Sequence, residues 1–460
     1  MRWLATLLAA SCSEFSAPGR RVAPPALNSA RVDTVSLGAR LRVGVDQTTT
    51  VRVRYWPDSA SDTLMVEASL SPTDGVVILT RLRRGTTYWY GADAITDGGA
   101  EGPRLSGSFS TPPLPPDLAD LRFEPTGTPT DSILLLSPRG TAGFNGFVAV
   151  DYTGAVVWYW RTAGSAQGSA RRANGDFVLN DLGHGLFEVT PSGDLVRRLD
   201  YGTSDAMPHH DLIATPQNTI LFISQDLRLV GGTRVIWGEA IFEWAPESGQ
   251  LTKRWTAWDW YDPSKDWGDK STDADWLHAN SLSLGPHGNI VLSVNWLSQV
   301  ISIAPDWTHL EWRLGGETST FAVDSAAAFS GQHAVSVPRE GHVLMFDNGR
   351  ERPDGAKYSR ALEIALDSVT HVAHEFWEFR PAASPFAPYL GYVARLPNGN
   401  TEVFFGLPDG PFGGAVANGP ISAYEVRTDG TVTWRLDVGN ASSVYRGEPL
   451  RSVAGERVIR

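Results

Sequence analysis

Short bursts of period-two alternation mark the first part of the chain: Thr50-Val51-Arg52-Val53-Arg54-Tyr55-Trp56, Val76-Val77-Ile78-Leu79, Tyr88-Trp89-Tyr90 and Leu105-Ser106-Gly107-Ser108-Phe109. Neighbouring side chains of a strand point to opposite faces, so this pattern predicts strands that bury one side, and their spacing predicts a small β-sandwich over residues 28–112. Pro112-Pro113-Leu114-Pro115-Pro116 then reads as a stiff linker, since successive prolines favour an extended backbone. From residue 117 to 460 a different unit recurs. A buried alternation such as Gly185-Leu186-Phe187-Glu188-Val189 leads through a turn into a strand carrying tryptophan or another large apolar residue, at residues 154–158, 193–199, 249–255, 308–312, 370–377 and 430–434. One such unit cannot bury both faces alone, and six of them predict a six-bladed β-propeller. The first unit, from Asp131, is short, so the tail after Trp434, with Tyr445-Arg446-Gly447-Glu448-Pro449-Leu450, is expected to complete it and remove the open edge.

Composition agrees with an all-β chain: 46 Gly, 30 Pro and 17 Trp suit strands joined by tight turns better than long helices. The net charge of -12, with no dense Lys/Arg cluster, argues against a nucleic-acid partner. Cys12 is the one cysteine, which rules out an internal disulfide and a cysteine-rich metal site. It follows a basic start, a short apolar run and small residues, and residues 1–12 therefore read as a lipoprotein signal with Cys12 lipidated, ahead of a flexible spacer at 13–27. The expectation is an exported protein, periplasmic or on the cell surface, touching the membrane through a lipid anchor. No other stretch approaches the roughly 18 apolar residues that a spanning helix needs.

Candidate chemistry gathers on histidines. His210, His278 and His333 each stand just upstream of a strand that ends in a turn: Ala214-Thr215-Pro216, Leu284-Gly285-Pro286 and Val335-Ser336-Val337-Pro338. Innermost propeller strands line a central channel, so the three imidazoles are expected to converge at its mouth, with His333 as the catalytic centre. The acidic run Asp259, Asp262, Asp266, Asp269, Asp273 and Asp275 fits no regular calcium loop and reads as an exposed lid. Neither a metal nor another cofactor is expected.

Two resemblances follow. Leu82-Arg83-Arg84-Gly85-Thr86-Thr87-Tyr88 and Phe109-Ser110-Thr111-Pro112-Pro113 resemble the tyrosine-corner turn and last strand of a fibronectin type III module. His209-His210-Asp211, Trp276-Leu277-His278-Ala279-Asn280-Ser281, Gln332-His333, Phe346-Asp347-Asn348-Gly349 and Leu396-Pro397-Asn398-Gly399-Asn400 resemble the bacterial arylsulfate sulfotransferases, over roughly residues 131–450. That resemblance implies a six-bladed propeller that moves a sulfuryl group from an aryl sulfate to a phenol without a nucleotide. His333 would be the nucleophile that becomes sulfated and His278 a second catalytic residue. His210, with His209 as its fallback, Asn280 and Asn295 would bind substrate. Asn295 departs from the family, which usually places an arginine there to hold the sulfuryl group; Arg171, Arg172, Arg350 or Arg395 would take over that charge, or activity would be altered. The competing reading is a propeller that binds small aromatic ligands or a protein partner at the same mouth without catalysis.

Overall fold

The computed structural model describes residues 25–35, 37–58, 62–72, 75–95, 101–129, 133–266, 274–352, 355–406, 411–412, 415–416 and 419–459. The expected signal at 1–12, with Cys12, and most of the spacer at 13–27 lie outside the described residues. Among the described residues strands and turns dominate, and no helix is long and apolar enough to cross a membrane.

The alternating first part forms two sheets. Leu27–Val35, Gly38–Val45 and Val76–Leu79 make one, and Thr63–Leu70, Thr49–Pro57, Thr87–Ile95 and Leu105–Ser110, in that spatial order, make the other. Val51, Val53 and Tyr55 are buried whereas Arg52, Arg54 and Trp56 between them are less so, as a period of two demands. The inward residues share one core with Leu41, Leu79, Tyr88 and Phe109. Tyr88 also ties down the preceding turn, its hydroxyl accepting the Arg83 N–H at 2.9 Å.

Among the described residues, the remainder folds into six sheets of four or five strands and a two-stranded ribbon of Pro411–Phe412 with Ala415–Val416. Three are plain antiparallel meanders, opening with Ser165–Arg171, Pro208–Ala214 and Ala279–Leu284; two more open with His333–Ser336 and Tyr392–Arg395. The ends are stitched together. Ala441–Leu450 pairs with Ile133–Gly140 and becomes the first strand of the earliest sheet, while Arg122–Gly127 pairs with Val432–Gly439 at the outer edge of the last. Each end of this region thus covers an edge that would otherwise be open. The tryptophan-bearing repeats are the fourth strands, where Trp158, Trp255 and Trp434 are buried and the ladder shifts by a bulge against the third strand. All six first strands share one cavity of about 290 Å³, through residues such as Arg171, Leu212, Ser283, Val335, Val393 and Pro449.

The two parts are in contact. Arg83 donates to Asp151 at 3.2 Å, and Arg457–Ile459 adds a strand to the Thr63–Leu70 edge of the sandwich. Just before that strand, Glu456 accepts from the Thr80 hydroxyl at 2.8 Å and from Val453 N–H at 2.7 Å. The segment that follows Ala441–Leu450 therefore pairs with the alternating domain.

Candidate active site

The histidines arrive on three successive first strands: His210 within Pro208–Ala214, His278 immediately before Ala279–Leu284, and His333 at the start of His333–Ser336. Each strand breaks its ladder at that point, with register shifts at Pro208/Leu212, Ala279/Ser281 and His333/Ser336. Left-handed residues sit at the breaks: His210 at φ 55°, His278 at φ 54° and Ala334 at φ 50°. That conformation is costly for a residue with a Cβ and concentrates at functional positions. It also corrects the expected phase. His333 precedes the left-handed residue, so its backbone equivalents are His209 and Leu277, not His210 and His278.

His333 is buried, and its Nδ1 lies 2.8 Å from Asn348 Oδ1. The orientation of that amide is settled by its other end, since Asn348 Nδ2 donates to the carbonyls of Ala387 and Leu390 at 2.7 and 2.8 Å. An amide oxygen only accepts, so His333 carries its proton on Nδ1 and keeps a lone pair on Nε2. Burial first, and then the charges of His278, Arg350 and Arg446, push its pKa down to about 3 against the opposing Asn348 bond. His333 is therefore a neutral imidazole at physiological pH, held in one tautomer.

Two other histidines are backed by carboxylates. His278 donates from Nδ1 to Asp275 at 2.6 Å, and Asp275 also accepts the Trp296 indole N–H at 3.0 Å. The His278 ring packs 4.5 Å from Trp296 and 4.7 Å from His210, centroid to centroid. His209 Nε2 lies 2.9 Å from Glu239, and His209 Nδ1 lies 2.7 Å from His210 Nδ1. Burial, followed by the nearby His278, His209, His333 and Arg446, pushes the pKa of His210 well below the ordinary imidazole value.

Asn280 and Asn295 meet the chain just before His333. Both are fully buried, and both donate through Nδ2 to the Gln332 carbonyl at 2.9 Å. Gln332 itself is held by Ser293 Oγ and the Gln299 carbonyl, each 2.9 Å from its Nε2. The two asparagine amides thus clamp the backbone one residue before His333.

Among the four arginines named as substitutes for the missing charge, three are engaged elsewhere. Arg172 pairs with Glu188 and Glu247, Arg395 with Glu363, and Arg171 donates to the Val453 carbonyl while stacking on Phe177. Arg350 is buried with its guanidinium over Trp296 and Tyr389, at 4.6 and 5.2 Å, and its charge bears on His333. Gly331 permits that placement, because a Cβ there would lie 2.5 Å from Arg350 Nε.

Sequence reasoning missed Arg446, Asp211, Glu239 and Asp275 as site residues. Arg446 is buried, pairs with Asp211 at 2.7 Å and Glu448 at 3.1 Å, and bears on both His210 and His333. The available signals were slight: Asp211 adjoins His210, and Asp275 stands three residues from His278. Among the described residues no group of three or more His, Cys, Asp or Glu side chains is placed to hold a metal.

A family model described as "Arylsulfotransferase (ASST)" matches residues 126–446. No curated protein matches the chain. Similar solved structures include a protein of unknown function from Bacteroides caccae, at 14% identity and TM-score 0.46, covering 70% of this chain and 100% of that one. Another is virginiamycin B lyase from Staphylococcus aureus, at 11% identity and TM-score 0.37, covering 77% and 91%. A protein from Lactobacillus plantarum has 11% identity and TM-score 0.41, covering 70% and 99%.

Proposed function

The chain belongs to the arylsulfotransferase family, and from that premise we propose that it transfers a sulfuryl group from an aryl sulfate to a phenol in two steps through a sulfated His333. The observation that carries this reading is the tautomer of His333, with Nδ1–H held on Asn348 and Nε2 left as a lone pair. In the first step that lone pair attacks sulfur, an N–S bond forms, and the S–O bond of the donor breaks with its electron pair going to the phenolate. In the second step a phenol oxygen attacks sulfur and the N–S pair returns to Nε2. A weakly basic imidazole is both neutral enough to attack and a good enough leaving group to release the sulfuryl group again. His278 and His210, whose rings adjoin, exchange the phenol's proton. Arg350 and Arg446 supply positive field in place of the charge absent at Asn295.

The same reading takes the six sheets as the blades of a closed propeller whose channel mouth bears the histidines, and the N-terminal sheets as a fibronectin type III-like module. The stitched ends and the cavity walled by six first strands support it. Export with a lipid anchor on Cys12 belongs to the proposal as well, supported by residues 1–12.

The test is to incubate the protein with a chromogenic aryl sulfate in the absence of acceptor and to map the added mass. Label should sit on the peptide containing Gln332 and His333, kinetics with acceptor should be ping-pong, and His333→Ala should lose label and turnover together. A folded His333→Ala variant that still transfers sulfate would sink the assignment.

A further inference from the structure

Resting on that reading, we infer that Glu239, His209 and His210 form a proton relay that takes the hydroxyl proton of the acceptor phenol. Glu239 and His209 are both buried. A carboxylate only accepts, so the 2.9 Å contact places the His209 proton on Nε2 and leaves His209 Nδ1 bare. His210 Nδ1, 2.7 Å from that bare nitrogen, must then be the donor. His210 Nε2, across the ring from His209, is left with a lone pair beside His278, whose ring centroid is 4.7 Å away.

A base needs such a lone pair. His210 therefore suits the phenol hydroxyl. As the phenol oxygen bonds to sulfur and the N–S bond to His333 breaks, the hydroxyl proton passes to His210 Nε2. The Nδ1–H of His210 passes to His209 Nδ1, the Nε2–H of His209 passes to Glu239, and the carboxylate becomes a carboxylic acid. In the first half-reaction, with Glu239 still a carboxylate, the donor's phenolate takes its proton from water; the proton that the relay collects in the second returns to water by the reverse sequence, so none is gained or lost over a turnover. The relay answers an electrostatic difficulty: the buried His210, ringed by His278, His333 and Arg446, is a poor place for an imidazolium to rest. Its far end is anchored too, because Glu239 Oε1 accepts the Ala279 N–H at 2.9 Å.

That anchor makes the relay reversible by one substitution. In Glu239→Gln the Ala279 N–H holds the amide oxygen, the amide NH2 turns to His209, His209 carries its proton on Nδ1, and His210 receives its own on Nε2. Nitrogen NMR of isotope-labelled histidines in the full chain reads these tautomers directly. The wild type should show His209 protonated at Nε2 and His210 at Nδ1, and the variant the opposite pair. Transfer to phenol should fall by about a hundredfold or more, whereas labelling of His333 by para-nitrophenyl sulfate alone, whose leaving group departs as a stable phenolate, should change by less than about tenfold. Wild-type tautomers opposite to these, or a reversed pair that transfers to phenol at the wild-type rate, would overturn the relay. Should Glu239→Gln fail to fold, the wild-type spectrum still decides, and His209→Asn, which cuts the chain, should show the same loss toward phenol. A wild type with the stated tautomers that never labels His333 would overturn the sulfotransfer reading, and the proton assignment with it, while leaving the hydrogen-bond chain in place.

Discussion

Replacing Asn348 with aspartate should turn His333 from a neutral nucleophile into an imidazolium near neutral pH. The wild-type amide accepts from His333 at 2.8 Å and donates to the Ala387 and Leu390 carbonyls. Aspartate keeps the acceptor and loses both donors. Opposite unit charges at that 2.8 Å separation attract by about 6 kcal/mol at an effective dielectric constant of about 20, which would raise the pKa of His333 by about four. From its starting value of about 3, the imidazole would then titrate near neutrality. His333 must be neutral to attack, so activity rises with pH through this pKa, and the acid limb of kcat/KM should move up toward neutral pH in Asn348→Asp. Alkaline pH should recover the rate. The Ala387 and Leu390 carbonyls, left facing a carboxylate, should cost about 1–3 kcal/mol each in stability. Asn348→Ala controls for that loss, since it removes the same donors without adding a charge. The assays are the pH profile with a chromogenic aryl sulfate and the urea midpoint of each variant. A folded Asn348→Asp protein whose profile overlies the wild type's would refute the tautomer assignment on which the nucleophile rests.

Asn295→Arg, which the family pattern suggests as a gain, should instead lower turnover and cost about 1–3 kcal/mol, because Asn295 is fully buried and its amide holds the Gln332 carbonyl at 2.9 Å; a folded variant with faster turnover would return the sulfuryl-binding role to this position. Glu402→Gln should stabilise the protein at neutral pH. Glu402 is buried opposite Glu425 in the ladder, its Oε1 has no hydrogen-bond partner among the described residues, and burial, then Glu425, hold its pKa well above the usual carboxylate value. A folded-state pKa that is raised contributes stability below the unfolded value and loses it as pH rises. The gain should therefore be about 1–3 kcal/mol at neutral pH and shrink toward mildly acidic pH, read as denaturant midpoints; equal midpoints at both would count against it.

The strands were legible because each records its own environment. In Thr49–Pro57 the buried Val51, Val53 and Tyr55 alternate with arginines, and nothing distant is needed to see it. The recurrence of tryptophan in fourth strands was legible for the same reason. The phase of the histidines was not, since it depends on a left-handed residue in each first strand, and there the chain uses His210, His278 and Ala334 where glycine or asparagine would have given a signal. Asp269 and Asp273 of the acidic run lie outside the described residues, but its last member, Asp275, grips His278 and so does more than the exposed lid read from its charge.

What escaped the sequence most completely is the pairing of residues that share no neighbourhood in the chain. Arg446 meets Asp211 across 235 positions, and Glu448 meets Ser169 across 279. Both partners come from the strand Ala441–Leu450, whose role as a closing edge could be expected from the short first repeat, although its inward side chains could not. Once that strand is in place, its buried polar residues have to be satisfied, and Asp211, next to His210, is among the groups that satisfy them. The strand that covers the open edge thus also delivers the arginine whose charge helps to keep His210 and His333 neutral.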